Sequence, residues 1–190
     1  PVGEDQKQHV ELSRDIAARF NRIYGDTFVI PEPVIPVVGG RVMGLNDPGV
    51  KMSKSYSHIR GHAIRMLDEP QEIERSFMRA VTDSGNEIRF SDDSEKSGVN
   101  NLLSIYKVVT GKPEAEVEKD FESARGYGDL KKAVAEVVIE ELSPIRQRYN
   151  ELISDVTELD KLLAVGSQRA ESVSGPKLLE MKDKMGLLLA

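Results

Sequence analysis

Apolar residues recur at helical spacing through most of this chain, interrupted by one stretch of a different kind. Val10, Ile16, Ala17, Phe20 and Ile23 form a stripe from Glu4 to about Tyr24, which predicts an amphipathic helix. Glu4 and Asp5 sit where a helix N-terminus favours negative charge, and Gly25 stops the segment. "TFVIPEPVIPVV", residues 27–38, is rich in β-branched side chains, but Pro31, Pro33 and Pro36 limit it to short or edge strands. Gly39 and Gly40 predict a turn, "RVMGL" a further short strand, and the following stretch to Ser57 a loop. Beyond it the patterns predict helices at about 58–68, at 70–82 with Pro70 in a permitted first-turn position, and at about 98–110, 114–124, 128–153, 156–164 and 167–187. The polar run "DSGNEIRFSDDSEKSG" separates the second of these from the third, and Pro144 and Ser174-Gly175-Pro176 are expected to kink or break the last long ones.

With no internal repeat and no low-complexity tract, this is an α/β remnant over residues 1–60 followed by an all-helical region over 61–190. A start at Pro1, running straight into a helix, reads as a cut from something longer. The 190 residues suffice for one core or for parts of two domains. The absence of cysteine excludes disulfides and cysteine-based zinc sites and fits a reducing compartment, with the cytoplasm as the default. No stretch approaches the roughly 18 uninterrupted apolar residues of a membrane span. A net charge of -6 argues against coating nucleic acid non-specifically but leaves room for a local basic groove.

The candidate chemistry lies in Lys51-Met52-Ser53-Lys54-Ser55. Two ammonium groups on flexible stems with hydroxyls between them suit a triphosphate whose charge rises as pyrophosphate leaves. A preorganised donor of that kind supplies about 2.7–4 kcal/mol. The bland alternative is a solvated lysine-serine connection. The glycine-rich phosphate loop is absent, since Gly111-Lys112 runs into Pro113 and lacks the leading glycine.

The string KMSKS resembles the second signature of class I aminoacyl-tRNA synthetases, the mobile loop that binds ATP. Gly3-Glu4-Asp5-Gln6 followed by Lys7-Gln8-His9 is similar to the "GEDQ-x-QH" segment of bacterial tryptophanyl-tRNA synthetases. "RVMGLNDPG", "AVTDS" and "GVNNLLSIYKVVTG" extend the likeness over essentially the whole chain. Tyrosyl-tRNA synthetases are the runner-up, and a non-catalytic helical binding module is the rival from another class. The resemblance implies that residues 1–60 are the C-terminal part of a Rossmann-like catalytic domain and that residues 61–190 lie toward the tRNA anticodon. Gly3, Glu4 and Asp5 would touch the nucleoside of ATP, Gln6 the amino acid's ammonium, and the backbone of Val42 the adenine edge. Lys51, Met52, Ser53, Lys54 and Ser55 would close over the phosphates, with Lys51 and Lys54 as electrostatic catalysts and Mg²⁺ held chiefly by the phosphates. Tryptophan, tRNA and a second copy in a homodimer are the implied partners, with no membrane. From the residues alone, Glu4 and Asp5 are helix-capping charges and Val42 is core.

"HIRGH", residues 58–62, is not the His-Ile-Gly-His signature, because Arg60 intervenes and the string follows the lysine loop. His58 and His62 are therefore expected on the surface of a helix, and His9 as a packing or hydrogen-bonding residue. The genuine histidine signature is expected upstream of Pro1, so this chain by itself is expected not to activate tryptophan. Arg125, Lys131, Lys132, Arg146, Arg148, Lys177, Lys182 and Lys184 offer basic groups for RNA backbone contacts, mostly as solvated helix faces.

Overall fold

The computed structural model describes residues 1–36, 41–56 and 58–187. Its helices there are α1 (Lys7–Tyr24), α2 (Pro70–Met78), α3 (Ser97–Thr110), α4 (Glu114–Asp120), α5 (Tyr127–Ser154) and α6 (Val156–Lys184). The chain divides into two compact units, Pro1–Ile35 with Tyr149–Ala190, and Pro36–Arg148.

The second unit holds the core. Ile73 and Phe77 of α2, Val99, Leu102, Leu103 and Tyr106 of α3, Val117 of α4, and Leu130, Val134 and Val138 of α5 follow the 3, 4 and 7 spacing of a single helix face and are all buried. Each such side chain contributes roughly 1.5–3 kcal/mol on full burial. Gly98 is required where α3 starts, since a Cβ there would lie 2.1 Å from the Val81 carbonyl oxygen. The close approach seats the 80–82 segment against α3.

The first unit is held differently. The chain beyond α1 returns along it, and the Asn21 side-chain oxygen accepts from the amides of Thr27 (3.1 Å) and Phe28 (2.9 Å) while its amide donates to the Phe28 carbonyl (2.8 Å). Phe20 meets Phe28 edge-on at 5.0 Å. From α6, Lys177 donates to the Thr27 carbonyl (2.9 Å) and Lys184 to the Thr27 hydroxyl (2.8 Å). Among the described residues every buried apolar side chain belongs to the second unit.

Several sequence expectations are corrected. Among the described residues no strand of the expected α/β remnant is present. Its pairing there is an isolated antiparallel bridge between Met43 and Lys51. Residues 27–35 form no ladder with any described residue: Pro31 and Pro33 lack donors, and Val29 is 94% exposed. The Gly39–Gly40 turn and the loop's end at Ser57 lie outside the described residues. Residues 58–68 are turns and not a helix, interrupted by Gly61 at φ +77°. Neither late proline breaks its helix: Pro144 lies inside α5, and Pro176 inside α6, which joins the two last predicted helices into one.

Candidate functional site

The lysine loop grows out of a tight turn. The Val50 amide donates to the Asp47 carbonyl (3.2 Å) and the Asp47 carboxylate accepts from the Gly49 amide (2.9 Å), so Asp47-Pro48-Gly49-Val50 folds back on itself. Its arms are joined by Gly44 N–H to the Val50 carbonyl (2.8 Å) and Met52 N–H to the Val42 carbonyl (2.9 Å). These bonds bring Val42 and the start of the lysine loop together.

Two residues to which the sequence assigned no such role hold this hairpin to the core. Asn101, buried on α3, accepts from the Met43 amide (3.0 Å) and donates to the Met43 carbonyl (2.9 Å), doing with one side chain what a neighbouring strand would do. His62 is 2% exposed, correcting the surface assignment. Its Nδ1 lies 2.7 Å from Asn46 Oδ1 and its Nε2 3.2 Å from the Lys51 carbonyl, and its ring packs edge-on to Tyr56 at 5.5 Å. Gly44 is the complement of that ring, since a Cβ there would lie 2.3 Å from His62 Cε1. His58 and His9 are exposed.

Past Lys51 the loop divides between inside and outside. Met52 packs against the core, while Lys51 is exposed, and Lys54, Ser55 and Tyr56 form an exposed 3₁₀ turn. Ser53 stands between the two lysines with its hydroxyl buried and without a hydrogen-bond partner among the described residues, a state that buried polar atoms rarely keep without a ligand or water. Gly3, Glu4, Asp5 and Gln6 belong to the first unit, where Glu4–Gln6 is a 3₁₀ turn leading into α1. No side chain caps α1. Glu4, Asp5 and Gln6 are exposed, and the Gln6 side-chain amide donates to Asp5 (2.9 Å). Val42 is half-buried with its carbonyl taken by Met52.

The basic groups proposed for RNA are in part already engaged. Arg146 donates to the Asp68 carbonyl (3.0 Å), Lys177 and Lys184 hold residues 26–27, and burial pushes the Lys131 ammonium down from its ordinary value. Among the described residues no group of three or more His, Cys, Asp or Glu could hold a metal ion, and no helix is long and apolar enough to cross a membrane.

The family model described as tRNA synthetases class I (W and Y) matches residues 1–143. A tryptophan–tRNA ligase of Wolinella succinogenes is 48% identical over 99% of this chain and 56% of its own length. The crystal structure of tryptophanyl-tRNA synthetase from Mycoplasma pneumoniae superposes with a TM-score of 0.86 at 31% identity, over 99% of this chain and 56% of that one. That of the Campylobacter jejuni enzyme complexed with ADP and tryptophan gives 0.68 at 29% identity, over 98% of this chain and 56% of that one. The chain thus spans about half the length of the proteins it matches.

Proposed function

Because the chain belongs to the class I tRNA synthetases (W and Y), we propose that it is the lysine-loop and helical portion of a tryptophan–tRNA ligase. The tryptophan carboxylate attacks the α-phosphorus of ATP, the bond to the β-phosphate oxygen breaks, and pyrophosphate leaves. The tRNA's terminal ribose hydroxyl then displaces AMP from the adenylate. The observation that carries the reading is the loop itself: Lys51 and Lys54 reach solvent on either side of Ser53, whose buried hydroxyl has no partner among the described residues. A phosphate oxygen would satisfy that hydroxyl, and two cations beside it would stabilise the charge that develops as pyrophosphate departs. The Met52 side chain anchors the loop in the core, and Ser55 follows Lys54 around the exposed turn. The uncapped start of α1 offers Gly3, Glu4 and Asp5 to the nucleoside and Gln6 to the amino acid. Val42 keeps its amide for the adenine edge, its carbonyl being taken.

The loop supplies ammonium and hydroxyl groups and no carboxylate, so Mg²⁺, a hard cation that takes oxygen ligands, would enter with the triphosphate and be held by its oxygens. Residues 1–60 serve the nucleotide and 61–190 the tRNA. That boundary divides roles and not packing, since Pro1–Ile35 packs with the chain from Tyr149 onward. The resemblance also favours a cytoplasmic homodimer. Tryptophan is preferred to tyrosine because the relatives near half identity are named for tryptophan.

The test is single-turnover kinetics of adenylate formation and of transfer, measured separately on the enzyme that carries this chain. Lys54→Ala is expected to slow adenylate formation by roughly a hundred- to a thousand-fold, the loss of about 2.7–4 kcal/mol, with little change in ATP affinity. Transfer from preformed adenylate involves no triphosphate and is expected to be nearly unchanged. Equal slowing of both steps, or of neither, removes the assigned role and leaves the helical-module reading.

A further inference from the structure

Downstream of the lysine loop the chain turns through residues 58–65 and faces α2 across a cavity of about 320 Å³. Its lining is basic. Arg60 and Arg65 come from the turn, Arg75 from α2 and Arg79 from its C-cap, opposed by the carboxylates of Asp68 and Glu72. Asp68 is already spent: its side chain accepts from Arg65 Nε (2.7 Å) and from the Arg65 amide (2.9 Å). That leaves the guanidinium groups of Arg60, Arg75 and Arg79 around one cavity without a side-chain hydrogen bond or ion pair to any described residue, and Glu72 as the remaining acid.

The arrangement follows from the helix. Glu72, Arg75, Ser76 and Arg79 are spaced 3, 4 and 7 apart and share one face of α2, while Ile73 and Phe77 on the other are buried in the core. A cation near a helix C-terminus is favoured by the helix dipole, which accounts for Arg75 or Arg79 by itself. It does not account for Arg60, brought to the same cavity from a separate turn. Three unpaired guanidinium groups in a chain of net charge -6 amount to a local reversal of sign. Guanidinium forks bind phosphate oxygens two at a time.

We infer that this cavity is a phosphate-binding site separate from the lysine loop. In a tRNA synthetase family two sources of phosphate are at hand, an RNA backbone and pyrophosphate. The inference does not depend on the reading of the lysine loop, and its test uses no aminoacylation chemistry, so either can fail without the other.

Two probes are titrated into the chain: a fluorescein-labelled single-stranded RNA, followed by anisotropy at several salt concentrations, and sodium pyrophosphate at constant ionic strength, followed by the arginine Nε–H signals in NMR. The double variant Arg75→Gln/Arg79→Gln is expected to weaken RNA binding at least tenfold and to reduce the slope of log affinity against log salt by about 1.4, from about 0.7 per phosphate contact. Lys119→Gln, an equal charge change per residue on an exposed position of α4, is expected to alter it less than twofold. Arg60→Gln is expected to weaken binding as well, although it lies off the helix. Displacement of RNA by pyrophosphate identifies a shared phosphate site with RNA as the occupant. Saturable pyrophosphate shifts at Arg60, Arg75 and Arg79 without RNA binding identify the small anion. Failure of both probes to bind at millimolar concentration overturns the inference. So does an equal loss in Lys119→Gln, or displacement of RNA by polyglutamate as effective as by pyrophosphate.

Discussion

The imidazole of His62 is bonded at both nitrogens, to Asn46 on one side and to the Lys51 carbonyl on the other, and fills the space that Gly44 leaves. Truncation to alanine removes both contacts and leaves the Lys51 carbonyl without this partner and a hole beside it. His62→Ala is therefore expected to cost about 1–3 kcal/mol, measured as a lower urea midpoint. It is also expected to speed hydrogen exchange at Val50 and Met52, whose amides close the hairpin. Unchanged exchange there would show that the hairpin does not depend on the histidine. In the native protein the same two amides are expected to be slow and those of Lys54 and Ser55 fast, which narrows the mobile part of the loop from its whole length to the exposed turn beyond the bridge.

Between elements, a second, half-buried polar group joins the 83–87 turn to the N-cap of α3 and to α5. The Tyr127 hydroxyl donates to Asp83 (2.8 Å), Lys96 donates to the Tyr127 oxygen (2.8 Å), and Lys96 lies 3.3 Å from the Asp83 carboxylate. Burial pushes the Asp83 carboxyl up, but the Tyr127 hydroxyl, the Gly85 amide and Lys96 together outweigh it and hold it below the ordinary carboxylate range. The Lys96 ammonium is raised, first by its bond to Tyr127. A carboxyl lowered on folding stabilises the fold above its unfolded value, and that stability is lost as pH falls through the lowered folded value. The urea midpoint is thus expected to fall on acidification below about pH 4, and to fall less steeply in Asp83→Asn. Superimposable acid limbs for the two proteins would count against the cluster. Lys96 acts at the opposite end, where its contribution is present below its unfolded value and is lost as pH rises through the raised one.

On the scale of the whole molecule, the two units differ in what holds them. One has a contiguous core of buried side chains. The other relies on hydrogen bonds to the main chain of residues 27–31 and on the edge contact of Phe20 with Phe28, while Leu12, Ile16 and Ile23 on α1 are more than half exposed. Exposed backbone bonds with little apolar burial open at low free energy. Amides of α1 and α6 are accordingly expected to exchange well ahead of those of α3 and of α5 up to Val138, and unfolding in urea to show an early loss of helical signal before the main transition. Uniform protection across both units would refute this.

The helices were legible because their information is local. A stripe such as Val99, Leu102, Leu103 and Tyr106 specifies both the helix and its buried face within eight residues, and the five-residue lysine loop was likewise visible as a contiguous string. The enrichment in β-branched residues at 27–38 was equally visible, but a strand needs a partner to bond with, and nothing local says whether one is present. Only the tertiary structure decided what supports the loop. Asn101 reaches Met43 across 58 positions of sequence, and the buried place of His62 depends on the space left at Gly44. The gathering of Arg60 with Arg75 and Arg79 has the same origin, since a turn and a helix share no period. Periodicity encodes which side of an element faces inward; which polar group meets which backbone atom is set by how the chain closes on itself.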